Sequence, residues 1–272
     1  METRHEEYHS GEILSPYIPF LHIRRRADQP PQSTNWHENL EIQLCVQGEG
    51  FVLLDGEKYP FTVGDVVVVN ANQVHYTGTD TALVYHCLIL DKAFCRAADI
   101  PCQQLWFDTL FRSEVISRCF EEVIALQDAE DDPCCILKRQ MAIARLLIEL
   151  REHHVVAHAP RKGTKPMFED VKNVIRFIRE HYAEQMTLDR ISRHILCDKY
   201  TMCKSFKQLT GQTVVGYLNV YRCEKAKELL ANGKTVSEAA LLCGFHNMSF
   251  FTKTFKEKMG KLPSNYKSGA NY

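Results

Sequence analysis

The sequence predicts an α+β protein of two domains: a small β-barrel with a helical hairpin, followed by an all-α domain with two helix-turn-helix modules. Three observations support this prediction. Short β-branched runs separated by turn residues fill residues 20–91, helical periodicity replaces them beyond about residue 103, and part of the last hundred residues is duplicated. We therefore place the barrel domain at residues 1–155, a linker at 156–167 and the helical domain at 168–272.

Length and composition indicate a globular protein with room for two domains. The chain has 272 residues, of which 45% are hydrophobic and 25% charged, and this balance excludes a disordered chain, a collagen and a disulfide-stapled mini-protein. No apolar run approaches the roughly 18 residues of a membrane helix. The acidic, His-rich first ten residues also differ from a secretory signal. We expect a cytoplasmic protein without a membrane partner.

The eleven cysteines are scattered and odd in number. Most lie in apolar segments, which predicts buried reduced thiols rather than a disulfide framework. A redox-sensing role is the alternative for these cysteines.

The net charge of −1 conceals a division of charge along the chain. Residues 166–272 carry 17 Lys and Arg against 10 Asp and Glu, a net charge of +7, whereas the remainder carries 16 against 24, a net charge of −8. A basic segment of about a hundred residues suits a polyanionic partner, and the acidic part does not. The two predicted domains therefore have different partners.

The first domain is predicted to be a meander of short strands followed by two helices. We expect strands at residues 41–47, 51–54, 58–63, 66–69 and 83–90, with a tight turn at Asp55-Gly56. Strands of this kind favour a small barrel or sandwich. Helical periodicity predicts helices at about 103–127 and 133–153. The second of these has more apolar residues than one buried face needs, so we expect homodimerisation through this hairpin.

An internal repeat in the second domain is the strongest signal in the sequence. Residues 202–207 and Gly211 align with residues 251–256 and Gly260 at an offset of 49. Each copy combines a short apolar helix, a tight turn and a second helix, and Gly211 and Gly260 are placed where a helix ends in a left-handed cap. The two modules extend over about 188–209 and 236–259.

The second helix of each copy has one packing face and one small, polar, cationic face. Met202 and Phe206, like Phe251 and Phe255, are spaced i and i+4, so they share the packing face. Such a helix has the size and chemistry to enter a DNA major groove, with the first helix supporting it. One long helix over residues 214–232 would hold the two modules about one DNA turn apart, roughly 34 Å.

The last hundred residues resemble the DNA-binding domain of the AraC-type transcription regulators. The resemblance rests on residues 226–230, 236–245, 249–260 and 263–267. In that family two helix-turn-helix modules are joined by a long helix, and the resemblance implies which side chains face the bases. These are Tyr200, Cys203 and Lys204 in the first module and Met248, Ser249, Thr252 and Lys253 in the second. On the same cationic faces, Lys207 and Lys256 complete the predicted DNA contacts.

This chain departs from the pattern of that family at several positions. Leu196 stands where the first turn usually has Gly, which implies a less sharp turn, and Leu241 and Leu242 stand at positions that are usually polar. Cys203 replaces a longer polar side chain, so we expect the first module to contact mainly phosphates.

A polar face in the predicted barrel indicates an effector site. His37, Glu41 and Gln43 share the same parity, so a strand through them places all three on one face and apolar residues on the other. A small barrel normally fills its interior with apolar side chains, and burying such polar groups unpaired costs roughly 1 to 3 kcal/mol each. Water or mutual hydrogen bonds could satisfy them without a ligand. We expect a small polar effector, a sugar or a similar polyhydroxylated compound, to be bound by His37, Glu41, Gln43 and His75.

The spacing of these residues also resembles the two motifs of a cupin barrel. The matching residues are His37, Glu41 and Gly48, then Gly64 and His75. Metal-binding cupins use two His and a Glu from the first motif and one His from the second, and here Asn35 replaces the first His. With three candidate ligands a bound metal ion is chemically possible, but the loss of one ligand from a set of four weakens metal binding. The segment Trp36-His37-Glu38 resembles sensory arms of AraC-type regulators, which implies a pocket without metal, and we expect no cofactor.

The preferred hypothesis is a sequence-specific DNA-binding transcription regulator that a small molecule controls, with no enzymatic activity and no catalytic residues. Its partners would be double-stranded DNA, the effector, a second copy of the chain and RNA polymerase. One alternative is a metal-dependent cupin isomerase or oxygenase fused to a DNA-binding domain, but no nucleophile elbow, P-loop or dinucleotide signature accompanies it. A further alternative is a barrel that only dimerises.

Overall fold

The computed structural model describes residues 20–26, 34–102, 104–126, 132–156 and 165–266, the first of these ranges and residues 165–166 by their backbone alone. Among the described residues the chain divides into two units, which we call the sheet unit, built on residues 20–26, 36–54 and 58–156, and the helical unit, built on residues 165–266. Most of the predicted linker and the whole of the His-rich N-terminus lie outside the described residues. The domain boundaries therefore stay a prediction.

The sheet unit is a curled antiparallel sheet that forms a half-barrel, as the sequence predicts. Its strands are β1 (Phe20–Arg26), β2 (Leu40–Leu54), β3 (Glu57–Thr62), β4 (Val66–Val69), β5 (His75–Gly78), β6 (Leu83–Leu90), β7 (Trp106–Phe107), β8 (Leu110–Phe111) and β9 (Val155–Val156). The main sheet has the order β1-β6-β2-β4-β8, with β3 and β5 also paired to β2. The short strands β7 and β9 pair separately.

The long strand β2 joins two strands that the sequence predicts as separate. Its pairing with β6 shifts register between Cys45 and Gln47, which marks a bulge. Gly48 follows the bulge with φ +77°, and a Cβ there would meet the carbonyl oxygen of Ala82 at 1.9 Å. Because the bulge lets the strand bend without ending, β2 pairs with β6 and β4 in its first half and with β5 in its second.

Side chains alternate between two cores on either side of β2. Leu40, Ile42 and Leu44 pack in the core that contains the helices α2 (Glu114–Ala125) and α3 (Cys135–His153). Cys45 and Val52 belong to the core inside the curl of the sheet. The face shared by Glu41 and Gln43 is the inner one, since their neighbours across the ladder, on β4 and β6, also pack inside the curl. A short helix, α1 (Lys92–Ala97), follows β6.

The predicted first helix of the hairpin starts later than the sequence indicates. Helical periodicity begins near residue 103, yet residues 106–107 and 110–111 are strands and α2 begins at Glu114. The Asn70 side chain explains this, because it accepts from Phe107 N at 2.8 Å and donates to Phe107 O at 3.0 Å. Ser113 then caps α2 by accepting from Ile116 N. A contact across 37 residues overrides the local pattern here.

The helical unit contains the two helix-turn-helix modules and the long connecting helix. Its helices are α4 (Lys165–His181), α5 (Leu188–Ile195), α6 (Lys199–Thr210), α7 (Val214–Ala231), α8 (Val236–Leu242) and α9 (Met248–Met259), and a 3-10 turn follows at Pro263–Tyr266. The left-handed caps predicted at Gly211 and Gly260 are confirmed by φ values of 72° and 76°. At 1.5 Å per residue, α7 is about 27 Å long.

The predicted packing faces of α6 and α9 are also confirmed. Met202 and Phe206 are 1% and 0% exposed, and Phe251 and Phe255 are both fully buried. Arg222 of α7 connects the end of α4 to this core, since its Nε and Nη2 donate to the carbonyl oxygens of Tyr182 at 2.7 Å and Glu184 at 2.8 Å.

The cysteines are free thiols, and eight of the eleven are buried. This agrees with the prediction of reduced, packed side chains. None of the helices that the structure describes is both long and apolar enough to cross a membrane.

Candidate DNA-binding surface and candidate effector site

The turn of the second module requires glycine. A capping box starts α8, in which Thr235 Oγ1 accepts from Glu238 N and the Glu238 carboxylate accepts from Thr235 N. After α8 the chain turns at Gly244 with φ +78°, where a Cβ would lie 2.8 Å from the carbonyl oxygen of Ala183. Asn247 then starts α9 by accepting from Phe250 N at 2.9 Å. The turn therefore sets where α9 begins.

The first module makes the same left-handed turn without glycine. Leu196 has φ 56° and ψ 35°, and its side chain is 93% exposed. The expectation of a less sharp turn is wrong, because the backbone keeps the left-handed conformation despite its Cβ. Thr187 caps α5 and Asp198 caps α6.

The residues predicted to contact DNA lie mostly on the surface of α6 and α9. On α6, Tyr200 is 74% exposed, Lys204 and Lys207 are exposed, and Cys203 is half-buried. On α9, the exposed residues are Met248, Ser249, Lys253 and Lys256, and Thr252 is half-buried. Each second helix thus presents its predicted polar and cationic face to solvent.

The predicted contacts of the second module form a continuous surface depression of about 450 Å³. It is lined by Met248, Ser249, Thr252, Lys253, Lys256 and Leu262. The sequence analysis missed Leu262, because its position beside α9 depends on the 3-10 turn that follows it. All five predicted residues of this module therefore share one surface.

Four lysines on α6 and α9 lie among the predicted DNA contacts. We call Lys204, Lys207, Lys253 and Lys256 the recognition lysines. In the part of the chain that the structure describes, none of them has a carboxylate within the 4 Å of an ion pair. Lys199, in contrast, lies 2.7 Å from Asp189, and Lys258 lies 2.7 Å from Glu257. Unpaired surface lysines are suited to phosphate oxygens.

The four predicted effector residues come together inside the curl of the sheet. His37 precedes β2, Glu41 and Gln43 lie on it, and His75 begins β5. The side chain of Glu41 is fully buried, that of His75 is 3% exposed and that of His37 is 12% exposed. Together with Thr77 and Cys87, which contact them, we call these residues the polar cluster.

Hydrogen bonds within the polar cluster satisfy most of its polar atoms. Glu41 Oε2 lies 2.9 Å from His37 Nε2 and 3.3 Å from His75 Nε2. Glu41 Oε1 accepts from Gln43 Nε2 at 2.7 Å and from Cys87 Sγ at 3.0 Å. Thr77 Oγ1 in turn donates to Gln43 Oε1 at 2.9 Å. Mutual bonding, one of the alternatives that the sequence left open, is thus present.

The carboxyl group of Glu41 is held ionised. Burial opposes its charge, but the electrostatic attraction of His75 and the hydrogen bond to His37 outweigh burial, so the pKa of Glu41 lies well below its usual value. A carboxylate buried among apolar strands is stable only where hydrogen-bond donors or positive charge compensate it.

Thr77 and Cys87 are members of the polar cluster that the sequence analysis did not single out. Cys87 lies opposite Gln43 in the ladder of β2 and β6. Thr77 is on β5, which the sequence analysis did not predict as a strand. The only sequence feature that connects them to the cluster is whether their positions are odd or even, because alternate residues of a strand face opposite sides of the sheet. This feature identifies the face only once the strand register is known.

A basic unit with two helix-turn-helix modules and a sheet unit that encloses a polar cluster define a DNA-binding transcription regulator with a ligand-binding domain. Two family models match these units: residues 191–269 match a helix-turn-helix domain and residues 17–147 match an AraC-like ligand binding domain. The chain belongs to the AraC-type family of transcription regulators.

Similar proteins and structures agree with this assignment over nearly the whole chain. The transcriptional activator RhaS of Klebsiella pneumoniae is 23% identical over 96% of both chains. The uncharacterized transcriptional regulator YbfI of Bacillus subtilis is 27% identical over 87% of both. Among solved structures, ToxT from Vibrio cholerae superposes with a TM-score of 0.51 at 14% identity, over 91% of this chain and 96% of that one, so the two share the fold.

Proposed function

We propose that this AraC-type regulator recognises specific duplex sequences through α6 and α9 and responds to a small polar metabolite bound at the polar cluster. The surface of α9 carries the first part of the proposal, because all five residues of the second module that are predicted to contact DNA line a single depression there.

The helical unit has the dimensions for two successive major grooves. The connecting helix α7 is about 27 Å long by its residue count. Because the two modules lie at its ends, this length supports a spacing between the modules near the roughly 34 Å of one DNA turn. The recognition lysines supply counter-charge for phosphates. Lys253, from its place early in α9, is proposed to reach base edges, and Lys207, from its place late in α6, a phosphate.

The DNA proposal predicts different effects for two lysine substitutions. Lys253→Ala should weaken binding to a selected site by roughly 1 to 3 kcal/mol while affecting random duplex little. Lys207→Ala should weaken binding to every sequence and reduce the slope of log K against log salt by about one. Fluorescence anisotropy of the full-length protein at several salt concentrations, with a site selected from random duplexes, measures both.

An arginine in the sheet unit provides the control for charge alone. Arg118→Ala removes one positive charge from an exposed residue of α2 and should leave both affinities unchanged. The proposal fails if the full-length protein shows no salt-dependent duplex binding, or if Lys253→Ala and Lys207→Ala behave like Arg118→Ala.

The effector proposal rests on the polar cluster. Four of its side chains, His37, Glu41, Gln43 and His75, can exchange hydrogen bonds with hydroxyl groups, which favours a sugar or another polyhydroxylated compound over an apolar one. Of these four, His37 is the most exposed, with 12% of its side chain accessible to solvent. To control DNA binding, the effector must favour one arrangement of the chain by a free energy of typically 1 to 3 kcal/mol.

Substitutions in the polar cluster should separate effector response from DNA binding. His37→Ala and Glu41→Ala should abolish both the thermal shift caused by the effector and its effect on transcription, while effector-free DNA binding stays nearly intact. A thermal-shift screen of sugars, sugar acids and polyols with the full-length protein identifies the ligand. If both variants respond to that ligand like the wild type, the effector binds elsewhere.

We further propose that the protein acts in the cytoplasm as a homodimer that contacts RNA polymerase. The dimer would place two helical units on two half-sites. The pair Leu241 and Leu242, 63% and 50% exposed on α8, is a candidate surface for a protein partner.

A further inference from the structure

Three potential metal ligands converge within the polar cluster. His37 Nε2, Glu41 Oε2 and His75 Nε2 all lie within 4.8 Å of one another. The two nitrogens are 2.9 Å and 3.3 Å from the carboxylate oxygen. Neighbouring ligands around an ion with bonds of about 2.1 Å are roughly 3.0 to 3.4 Å apart, depending on octahedral or tetrahedral geometry. Small side-chain adjustments would therefore complete the geometry of a bound ion.

Both imidazole rings are oriented for metal binding by backbone carbonyl groups. His37 Nδ1 lies 3.1 Å from Asn39 O, and His75 Nδ1 lies 3.1 Å from Gln73 O. Because a carbonyl oxygen only accepts, each Nδ1 must carry the proton. Each Nε2 therefore faces Glu41 Oε2, and it offers a lone pair to an ion once its proton has been released, as ligand histidines do on metal binding. Outer hydrogen bonds of this kind fix the tautomer of histidines that bind metals.

The carboxylate of Glu41 is also held in one orientation, in its case by side-chain hydrogen-bond donors. Its Oε1 accepts hydrogen bonds from Gln43 and Cys87, and Thr77 holds Gln43 in turn. Oε2 consequently faces the two imidazoles. Supporting bonds thus hold the outer polar atoms of all three side chains.

His75 Nε2 lacks a hydrogen bond of acceptable geometry among the described residues. It is buried, and although Glu41 Oε2 is at ion-pair distance, the two atoms are not aligned as donor and acceptor. Buried polar atoms nearly always have a partner. A bound cation would supply one.

We propose that His37, Glu41 and His75 bind one divalent transition-metal ion, such as Zn²⁺, through Nε2, Oε2 and Nε2. Imidazole and carboxylate ligands suit Zn²⁺ and its neighbours in the first transition row. Three protein ligands leave a coordination position open, and there the ion would hold an oxygen atom of the effector. This last step rests on the proposed function, whereas the ion site rests on the geometry of the three side chains. The sequence argued against a metal because Asn35 replaces a ligand, but three oriented ligands are sufficient.

Metal titration of the full-length protein tests the site directly. After removal of metal with a chelator, Zn²⁺ is titrated by calorimetry and Co²⁺ by its visible absorption. We expect one ion per chain, a cobalt spectrum without a thiolate charge-transfer band, and competition between the two ions. Glu41→Gln and His75→Asn should weaken binding by at least about a hundredfold.

The controls separate this site from other metal-binding side chains. The double variant His5→Ala with His9→Ala removes two histidines of the N-terminus, and Cys134→Ser removes an exposed thiol. Both should bind one ion with wild-type affinity. Circular dichroism and DNA binding verify that each variant is folded. If Glu41→Gln and His75→Asn fail to fold, His37→Asn, at the more exposed ligand, is the deciding variant.

Four results would overturn the proposal: no saturable binding at micromolar ion, wild-type affinity in the ligand variants, loss of binding in a control variant, or a thiolate band with cobalt. Because the titration contains neither effector nor DNA, its failure would leave the proposed regulator intact. Loss of effector response would likewise leave a positive titration intact.

Discussion

Leu196 occupies a backbone conformation that glycine adopts at lower cost. Its φ of 56° places Cβ close to the following carbonyl group, which costs a non-glycine residue about 1 to 2 kcal/mol. Because its side chain is 93% exposed, burial of apolar atoms does almost nothing to offset that cost. Leu196→Gly should therefore stabilise the helical unit by about 0.5 to 1 kcal/mol, after the larger backbone entropy of glycine in the unfolded chain is subtracted. Urea unfolding of the full-length protein measures the change.

Two variants frame this test. Leu196→Ala keeps the strain and should leave stability within about 0.5 kcal/mol of the wild type, whereas Gly244→Ala introduces a Cβ 2.8 Å from the Ala183 carbonyl oxygen and should destabilise. Both tryptophans, Trp36 and Trp106, lie in the sheet unit. An unfolding transition that appears in circular dichroism but not in tryptophan fluorescence can therefore be assigned to the helical unit. A Leu196→Gly variant no more stable than Leu196→Ala contradicts the argument.

Single residues also show what the sequence could establish about the polar cluster. Alternation along β2 was enough to place Glu41 and Gln43 on one face, because side-chain direction is a local property. His37 precedes β2, so its place in the polar cluster depends on the path of the chain before the strand. The contribution of Cys87 depends on which residue of β6 faces Gln43, 44 positions away in the chain. Register between distant strands follows from the packing of the whole sheet. The orientation of each imidazole by a backbone carbonyl was equally beyond a pattern of residue types.

The same limit applies to whole elements. The repeat predicted α5, α6, α8 and α9 with good boundaries, since helix caps and apolar spacing are local signals. The start of α2 was predicted about ten residues too early, because a side chain from another element, Asn70, fixes Phe107 in an extended segment. Local propensity yields to such tertiary contacts.

A buried arginine, Arg222, joins the end of α4 to α7. Arg222 is 9% exposed and donates to the carbonyl oxygens of Tyr182 and Glu184 beyond the end of α4. Hydrogen bonds from a charged group contribute about 1.5 to 3 kcal/mol each, so Arg222→Met should destabilise the helical unit by roughly 3 kcal/mol. Urea unfolding followed by circular dichroism measures the loss.

Lys225, one turn further along α7, provides the matched control. It pairs with Glu228 at 3.1 Å on the surface, and a pair of this kind contributes less than about 1 kcal/mol. Lys225→Met should therefore unfold close to the wild type. Equal unfolding midpoints for Arg222→Met and Lys225→Met would show that the bonds from Arg222 do not hold α4 to α7.

At the scale of the whole molecule, charge and apolar surface separate the two tasks of the chain. The +7 of residues 166–272 coincides with the recognition lysines, and the −8 of the remainder coincides with the unit that encloses the polar cluster. A negative sheet unit is repelled by the phosphates that attract the helical unit. We therefore expect the helical unit, and not the sheet unit, to contact the phosphates.

An exposed apolar stripe on α3 is the proposed contact between two copies. Leu137, Met141 and Ile148 are 61%, 63% and 54% exposed, and with Ala144 they follow a spacing of four, three and four residues, the seam of a helix pair. The other face of α3 is in the core. A symmetric pair would bury both stripes, at roughly 1.5 to 3 kcal/mol for each large side chain.

Met141→Lys should consequently convert a dimer into a monomer, because it places a charge in the centre of that seam. Sedimentation velocity of the full-length protein at tens of micromolar measures this directly, and binding to a single half-site should persist. Val63→Lys, at an equally exposed apolar residue between β3 and β4, should leave the dimer intact. A wild-type protein that sediments as a monomer, or a Met141→Lys variant that sediments like the wild type, would exclude α3 as the dimer contact.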